Sequence, residues 1–252
     1  MKLPWMSRTD RRAWKSARTI EDLGELMARW LEGTIQSRPG YAARYGPEDE
    51  TTALVPSLAA LCRAGAITTG SQPGLTGPGV NGGWWTQRAW VDLVVTDRAL
   101  LDRLVAIVTA GGMLVRVHDH HRGAERSTDD PIVATTCDGK PTMAVGSRMR
   151  GVDLALEWEG LHRSLVAQVT HGWQVSVVAP QAGSAGNWPL WDLLDEVSGL
   201  RDPAEDDWGT FDVPDPGECR LCGAPIYHSG PYCGPACRTA DEGDPADDVV
   251  PR

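Results

Sequence analysis

A chain of 252 residues with 41% hydrophobic content is long enough for one sizeable domain, or for one domain and a small module. Its net charge of −10 is lopsided: residues 1–192 carry 20 basic and 20 acidic side chains, whereas residues 195–252 carry 4 basic and 14 acidic. That balance argues against an acidic C-terminal stretch gripping nucleic acid. No apolar run approaches the roughly 18 residues of a membrane helix, so no membrane association is expected. The opening MKLPWMSRTDRR has charge but lacks the apolar segment of a secretory signal, and a cytoplasmic protein is expected.

In chain order, the first legible element is a helix over residues 20–32. Leu23, Leu26, Met27, Trp30 and Leu31 fall at the spacing of one buried stripe, and Thr19 suits the N-cap with Glu21 and Asp22 in the first turn. Gly33 suits the stop, and Glu25 and Arg29 stand one turn apart on the wet face. A loop containing Pro39, Tyr41 and Pro47 follows, then a short helix over 56–64 with Pro56 at its first turn. Residues 66–69 read as a short strand, and 70–83, GSQPGLTGPGVNGG, as a long Gly-rich loop.

From residue 88 the pattern tightens. Ala89, Val91, Leu93 and Val95 alternate as a strand, Thr96 or Asp97 caps a helix to about 109, and residues 113–117 form another strand. This is a β-α-β arrangement, with a right-handed crossover if its strands are parallel. Residues 132–136 and 142–145 read as a hairpin around Asp138-Gly139. Val152, Leu154, Leu156 and Trp158 alternate as a strand; 161–169 is a helix, 173–178 a strand and 188–197 a last helix. The expected fold is α+β, a mixed α/β sheet with helices packed on it, plus a small C-terminal zinc ribbon or knuckle. Residues 1–198 form the domain, 199–217 an acidic linker, 218–239 the zinc module and 240–252 a disordered acidic tail.

The segments TIEDLGELMARWLEG and LVPSLAALCRAG, the acidic turn at 47–50, Thr68-Thr69-Gly70-Ser71-Gln72-Pro73-Gly74 and Trp85-Thr86-Gln87-Arg88-Ala89 carry a resemblance. Over residues 14–95 at least, the chain resembles an actinobacterial and actinophage family catalogued only as a domain of unknown function. The resemblance implies a domain and a source, and names no reaction.

The residues themselves suggest a candidate ligand site. A strand ending in Thr68 and Thr69 and opening into Ser71 and Gln72 places hydroxyls and an amide at a strand's carboxyl end, where open α/β sheets bind ligands. Gln87 and Arg88 would join them, Arg88 suiting a carboxylate or phosphate, with Trp84 or Trp85 to stack on a ring. The competing reading is a polar turn held by side-chain bonds to backbone. No Walker or dinucleotide glycine motif is present. His118, His120 and His121 resemble a metal cluster, against the plainer reading of a polar loop. Asp129 and Asp130 suit an acid/base pair, or an Asp-Asp-Pro turn.

The most specific motif is Cys219-x2-Cys222-x10-Cys233-x3-Cys237. Two close cysteine pairs turn four thiolates toward one point at the ~2.3 Å that zinc prefers. So short a stretch cannot build a core, so a structural Zn2+ would supply its folding energy. Two disulfides are the alternative, and they need an oxidising compartment. His228 stands between the pairs; Cys62 and Cys137 fall in apolar runs as buried thiols. Two functions follow. One is a zinc-binding interaction protein whose tethered module contacts another protein. The other is a small-ligand or nucleotide-handling enzyme centred on the loop after Ile67.

Overall fold

The computed structural model describes residues 6–79, 82–120 and 130–201, and two short strands further on. The chain divides into a unit over Met1–Pro203 and a second over Ala204–Arg252. In the second unit, β8 (Gly217–Glu218) pairs antiparallel with β9 (Pro225–Ile226). The first unit is an α+β domain. Seven helices, α1 (Arg8–Ser16), α2 (Ile20–Leu31), α3 (Val55–Arg63), α4 (Arg98–Ala110), α5 (Gly151–Glu157), α6 (Arg163–Thr170) and α7 (Asn187–Ser198), accompany a seven-stranded sheet. Its strands are β1 (Ala66–Gln72), β2 (Thr76–Pro78), β3 (Trp84–Val95), β4 (Leu114–Asp119), β5 (Ile132–Cys137), β6 (Lys140–Val145) and β7 (Trp173–Ala182).

Every pairing in the sheet is antiparallel. The strand order is β4-β7-β3-β5-β6, with β1 and β2 also on β3. β3 is shared by two half-sheets. Its first residues bond β2 and β5, and its later ones bond β1 and β7, with an irregularity between Arg88 and Trp90. β7 enters between β3 and β4, so the strands flanking α4 run parallel without touching. The expected β-α-β unit is therefore split by an antiparallel strand.

The period-2 pattern of β3 separates two faces. Ala89, Val91, Leu93 and Val95 join Val175, Val177 and Ala179 of β7 in the main core, with Leu104 of α4 and Leu190 and Leu194 of α7. The opposite face carries Trp90, Leu114 and Val178, which pack with Ile132, Ala134 and Val145 of the β5–β6 hairpin. That hairpin turns at Asp138 and Gly139, both at positive φ as a two-residue turn of this kind requires.

On the same face run polar side chains buried beneath the hairpin's exit. Gln174 donates to the Ser147 carbonyl and accepts from the Met149 amide, both at 2.9 Å. His118 Nε2 donates to the Gly146 carbonyl at 2.8 Å. Asp92 lies directly across from Ser176. Burial pushes its carboxyl up to about 6, the Ser176 hydroxyl pulls the other way, and the charge of Glu157 adds to the upward push. One carboxylate oxygen of Asp92 has no hydrogen-bond partner among the described residues.

α2 forms as its stripe dictates. Ile20, Leu23, Leu26, Met27, Trp30 and Leu31 are buried, and Thr19 and Asp22 close a reciprocal capping box. The Glu25 carboxylate turns to Arg63 of α3 rather than to Arg29, at 2.9 Å, while Arg63 also holds Glu32 at 2.6 Å. Two further expectations are corrected. Residues 152–158 are α5 and its C-cap, not a strand. Leu154 and Trp158, four apart, are buried, whereas Val152 and Leu156 are each 58% exposed. On a helix a spacing of two divides the run between opposite faces, so Leu154 and Trp158 turn to the core and Val152 and Leu156 to solvent, and the Asp153–Arg150 pair at 2.7 Å supports the first turn. Residues 70–83 are not one long loop: β1 continues to Gln72, a bulge at Thr69 shifts its register, and β2 resumes on β3 in the shifted register.

Candidate functional site

The site is assembled by the loop between α2 and the 3-10 turn at Asp49–Leu54, against the outer edge of β1, which pairs only with β3. The loop is fixed from several sides. Trp14 Nε1 donates to the Ser37 carbonyl at 2.8 Å, and the Ser37 hydroxyl accepts from the Arg44 amide at 2.8 Å. Gly40 sits at φ +69° against the Glu157 backbone, where a Cβ would overlap the Glu157 carbonyl. A residue with a side chain is excluded there both by the φ and by the contact.

Between these anchors stands Arg38, only 6% exposed. Its guanidinium lies 5.0 Å from the ring of Trp30 and 5.0 Å from the ring of Tyr41, so two aromatic faces offset part of its desolvation. In its own plane it is poorly served. Nη2 donates to the Thr69 carbonyl at 3.4 Å and to Glu157 Oε1 at 3.5 Å, both long for charged bonds. Nε and Nη1 have no partner among the described residues. Burial pulls the Arg38 pKa down, with Glu157 holding it up. A buried guanidinium short of acceptors is costly unless something supplies them.

Beside it is a cavity of about 130 Å³, lined by Arg38, Trp30, Tyr41, Glu48, Thr51 and the β1 residues Thr68 to Ser71. The Tyr41 hydroxyl donates to Glu48 Oε1 at 3.4 Å, and burial and the Glu48 charge both push the phenol up. The cavity therefore holds one cation, one carboxylate, two aromatic rings and several hydroxyls.

Of the six residues proposed from the sequence, Thr68, Thr69 and Ser71 line this cavity, and Gln72, Gln87 and Arg88 do not. The Thr68 hydroxyl is within 3.3 Å of Cys62 Sγ, and Thr69 donates to the Asp92 carbonyl. Gln72 turns to the other half-sheet, donating to the Arg88 carbonyl at 3.1 Å and to the Thr135 hydroxyl at 3.2 Å. The candidate site at the loop after Ile67 is thus divided: Thr68, Thr69 and Ser71 share one cavity, and Gln72, Gln87 and Arg88 are not among its lining residues. The arginine of the cavity is Arg38. In the sequence it stands only as one cation in the turn Ser37-Arg38-Pro39-Gly40, which marks a rigid turn and not a buried charge.

His118 and His120 do share one side of β4, but both serve the fold: His118 meets the Gly146 carbonyl and His120 lies 3.5 Å from Gln174. His121 and Asp129 lie outside the described residues. Among the described residues no group of three or more His, Cys, Asp or Glu is placed to hold a metal ion, and no helix is long and apolar enough to cross a membrane. Cys62 is fully buried, whereas Cys137 is partly exposed. Cys219, Cys222, Cys233 and Cys237 lie outside the described residues.

The profile of the family described as a domain of unknown function, DUF6919, matches residues 9–197, and the chain belongs to that family. Among curated proteins no sequence matches it.

Proposed function

We propose that this member of the DUF6919 family is a binding protein whose domain takes up a small carboxylate-bearing molecule at Arg38. The observation that carries the reading is a buried guanidinium lining a cavity with two of its nitrogens unpartnered among the described residues. A carboxylate matches that planar fork in charge and shape, and bidentate pairing gives the bond its direction. Trp30 and Tyr41 enclose the cation, so an incoming carboxylate reaches one edge of the guanidinium, Nε–Nη2 or Nη1–Nη2, as the Tyr41 ring shifts. On either edge one of those two nitrogens gains an acceptor while Nη2 exchanges a long bond for a shorter one. Tyr41 is half-buried, and its hydroxyl is tied to Glu48 by a 3.4 Å bond, so it is the part of the cover best able to yield.

Acetate is the simplest probe. On the full chain it is expected to raise the thermal midpoint in proportion to the logarithm of its concentration above Kd, a stabilisation of about 2.7 kcal/mol at a hundred times its Kd. For a domain of this size that is about 5–10 °C. Sodium chloride at matched ionic strength should not reproduce it, and Arg38→Gln should abolish it. If Arg38→Gln does not fold, Arg38→Lys keeps the charge without the fork and should weaken acetate binding at least tenfold. Equal shifts in wild type and a folded Arg38 variant, or none at any concentration, overturn the reading.

A second reading rests on the four-cysteine spacing. The C-terminal residues 218–239 form a structural zinc module on an acidic tether, used for contacts with another protein. Elemental analysis of the full chain is expected to return one zinc per chain. Cys219→Ser should lose it while the melting of the domain stays unchanged. A metal-free chain with four free thiols there, or two disulfides, refutes it.

A further inference from the structure

The Arg38 cavity is close to charge-balanced, and this narrows what it would hold. Arg38 already has Glu157 at 3.5 Å, and the Glu48 carboxylate lines the same cavity. A simple anion seated on Arg38 would therefore meet two carboxylates nearby. A dianion would fare worse, since like charges at short range disfavour binding. A ligand bearing its own cation opposite Glu48 turns that repulsion into a second attachment.

Geometry supports the same pairing. Tyr41 links the two charges: its ring is stacked on the Arg38 guanidinium, and its hydroxyl bonds Glu48. Arg38 and Glu48 are thus set at opposite ends of one aromatic side chain. A molecule with a carboxylate at one end and an ammonium a few bonds away spans that gap. The cavity of about 130 Å³ sets the size. A volume of that order suits a small molecule rather than a large one. The hydroxyl-bearing wall of Thr51, Thr68, Thr69 and Ser71 suits a small or polar substituent better than a bulky one.

Resting on the carboxylate reading above, we infer that the ligand is a small zwitterion of the α-amino acid type, its carboxylate on Arg38 and its ammonium on Glu48. An ammonium arriving at Glu48 also competes for the bond that holds Tyr41, so the incoming cation helps to open the cover over Arg38. Binding the amine end and exposing the guanidinium are then one event.

Calorimetric titration of the full chain separates the two proposals, using glycine and L-alanine against their amine-free counterparts acetate and propionate. In wild type the amino acids are expected to bind at least tenfold tighter than the matching acids. Glu48→Gln should remove that advantage, bringing each pair within about threefold, by weakening the amino acids and, with one repelling charge gone, tightening acetate and propionate. Arg38→Lys should weaken all four. Arg38-dependent acetate binding with no advantage for glycine or alanine sinks the zwitterion and leaves the carboxylate site standing. An amino-acid preference that survives in Glu48→Gln sinks the assigned role of Glu48. Failure of all four ligands to bind wild type removes the carboxylate reading, and this inference with it.

Discussion

Gly24→Ala is expected to lower the thermal midpoint of the domain by about 5–10 °C, although alanine is the better helix former. Gly24 sits in the middle of α2, and its Cα faces the end of α3. A Cβ there would overlap the Cys62 carbonyl oxygen, lie 2.9 Å from the carbonyl carbon, and approach Ile67 at 3.5 Å. The obstacle is backbone, which cannot swing aside as a side chain can. Overpacking of this kind costs about 3 kcal/mol or more. Replacing a helical glycine recovers about 1 kcal/mol. The net loss of about 2–3 kcal/mol sets the midpoint shift for a domain of this size. Gly33→Ala is the comparison: it has open space around it and only its φ of +77° against it, so about 1 kcal/mol is expected. Equal and small shifts for the two variants would show that α2 and α3 move apart at little cost.

Asp92→Asn is expected to change how stability depends on pH. The folded carboxyl titrates at about 6, well above an ordinary aspartate, chiefly because it is buried. Between about pH 4 and pH 6 the unfolded chain has released this proton while the folded chain keeps it. Stability from this group is therefore fully present at low pH and is lost as pH rises through 6. The shift of roughly two units corresponds to about 3 kcal/mol. Glu32 acts in the opposite sense: its bond to Arg63 holds it below its ordinary value, so its contribution is lost as pH falls. Comparing wild type with Asp92→Asn cancels that background. Urea unfolding at pH 4 and pH 7 should show the variant gaining about 2–2.5 kcal/mol relative to wild type over that interval, since at pH 4 the unfolded carboxyl still holds part of its proton. Parallel pH profiles for the two proteins would refute it.

What could be read from the residues was what neighbours in sequence decide. α2, with its Thr19 cap, and the hairpin at Asp138-Gly139 follow from local periodicity and turn chemistry, and both stand in the structure. The alternation of Val152, Leu154, Leu156 and Trp158 reads as a strand, and only tertiary packing shows that the pair four apart, Leu154 and Trp158, is the buried face of a helix whose other two apolar residues are exposed. β2 was hidden in a Gly-Pro-rich stretch whose strand character comes from β3, not from its own residues. The site was legible by half. Thr68, Thr69 and Ser71 were found because they sit on a single strand. Arg38 was missed because its surroundings come from Trp30, Tyr41, Thr69 and Glu157, as much as 119 positions away. A lone arginine has no periodicity to betray burial.

The shared strand has a mechanical consequence. A site at one margin of a sheet ordinarily feels only the strand beside it. Here the first residues of β3 are clamped by β5, and the later ones hold β1, whose outer edge lines the Arg38 cavity. Loosening the hairpin is therefore expected to be felt at the cavity wall, as faster amide exchange in β1 as well as in β5. The wall of the cavity thus belongs to a strand anchored on β3, whose other end is held by residues that line none of it.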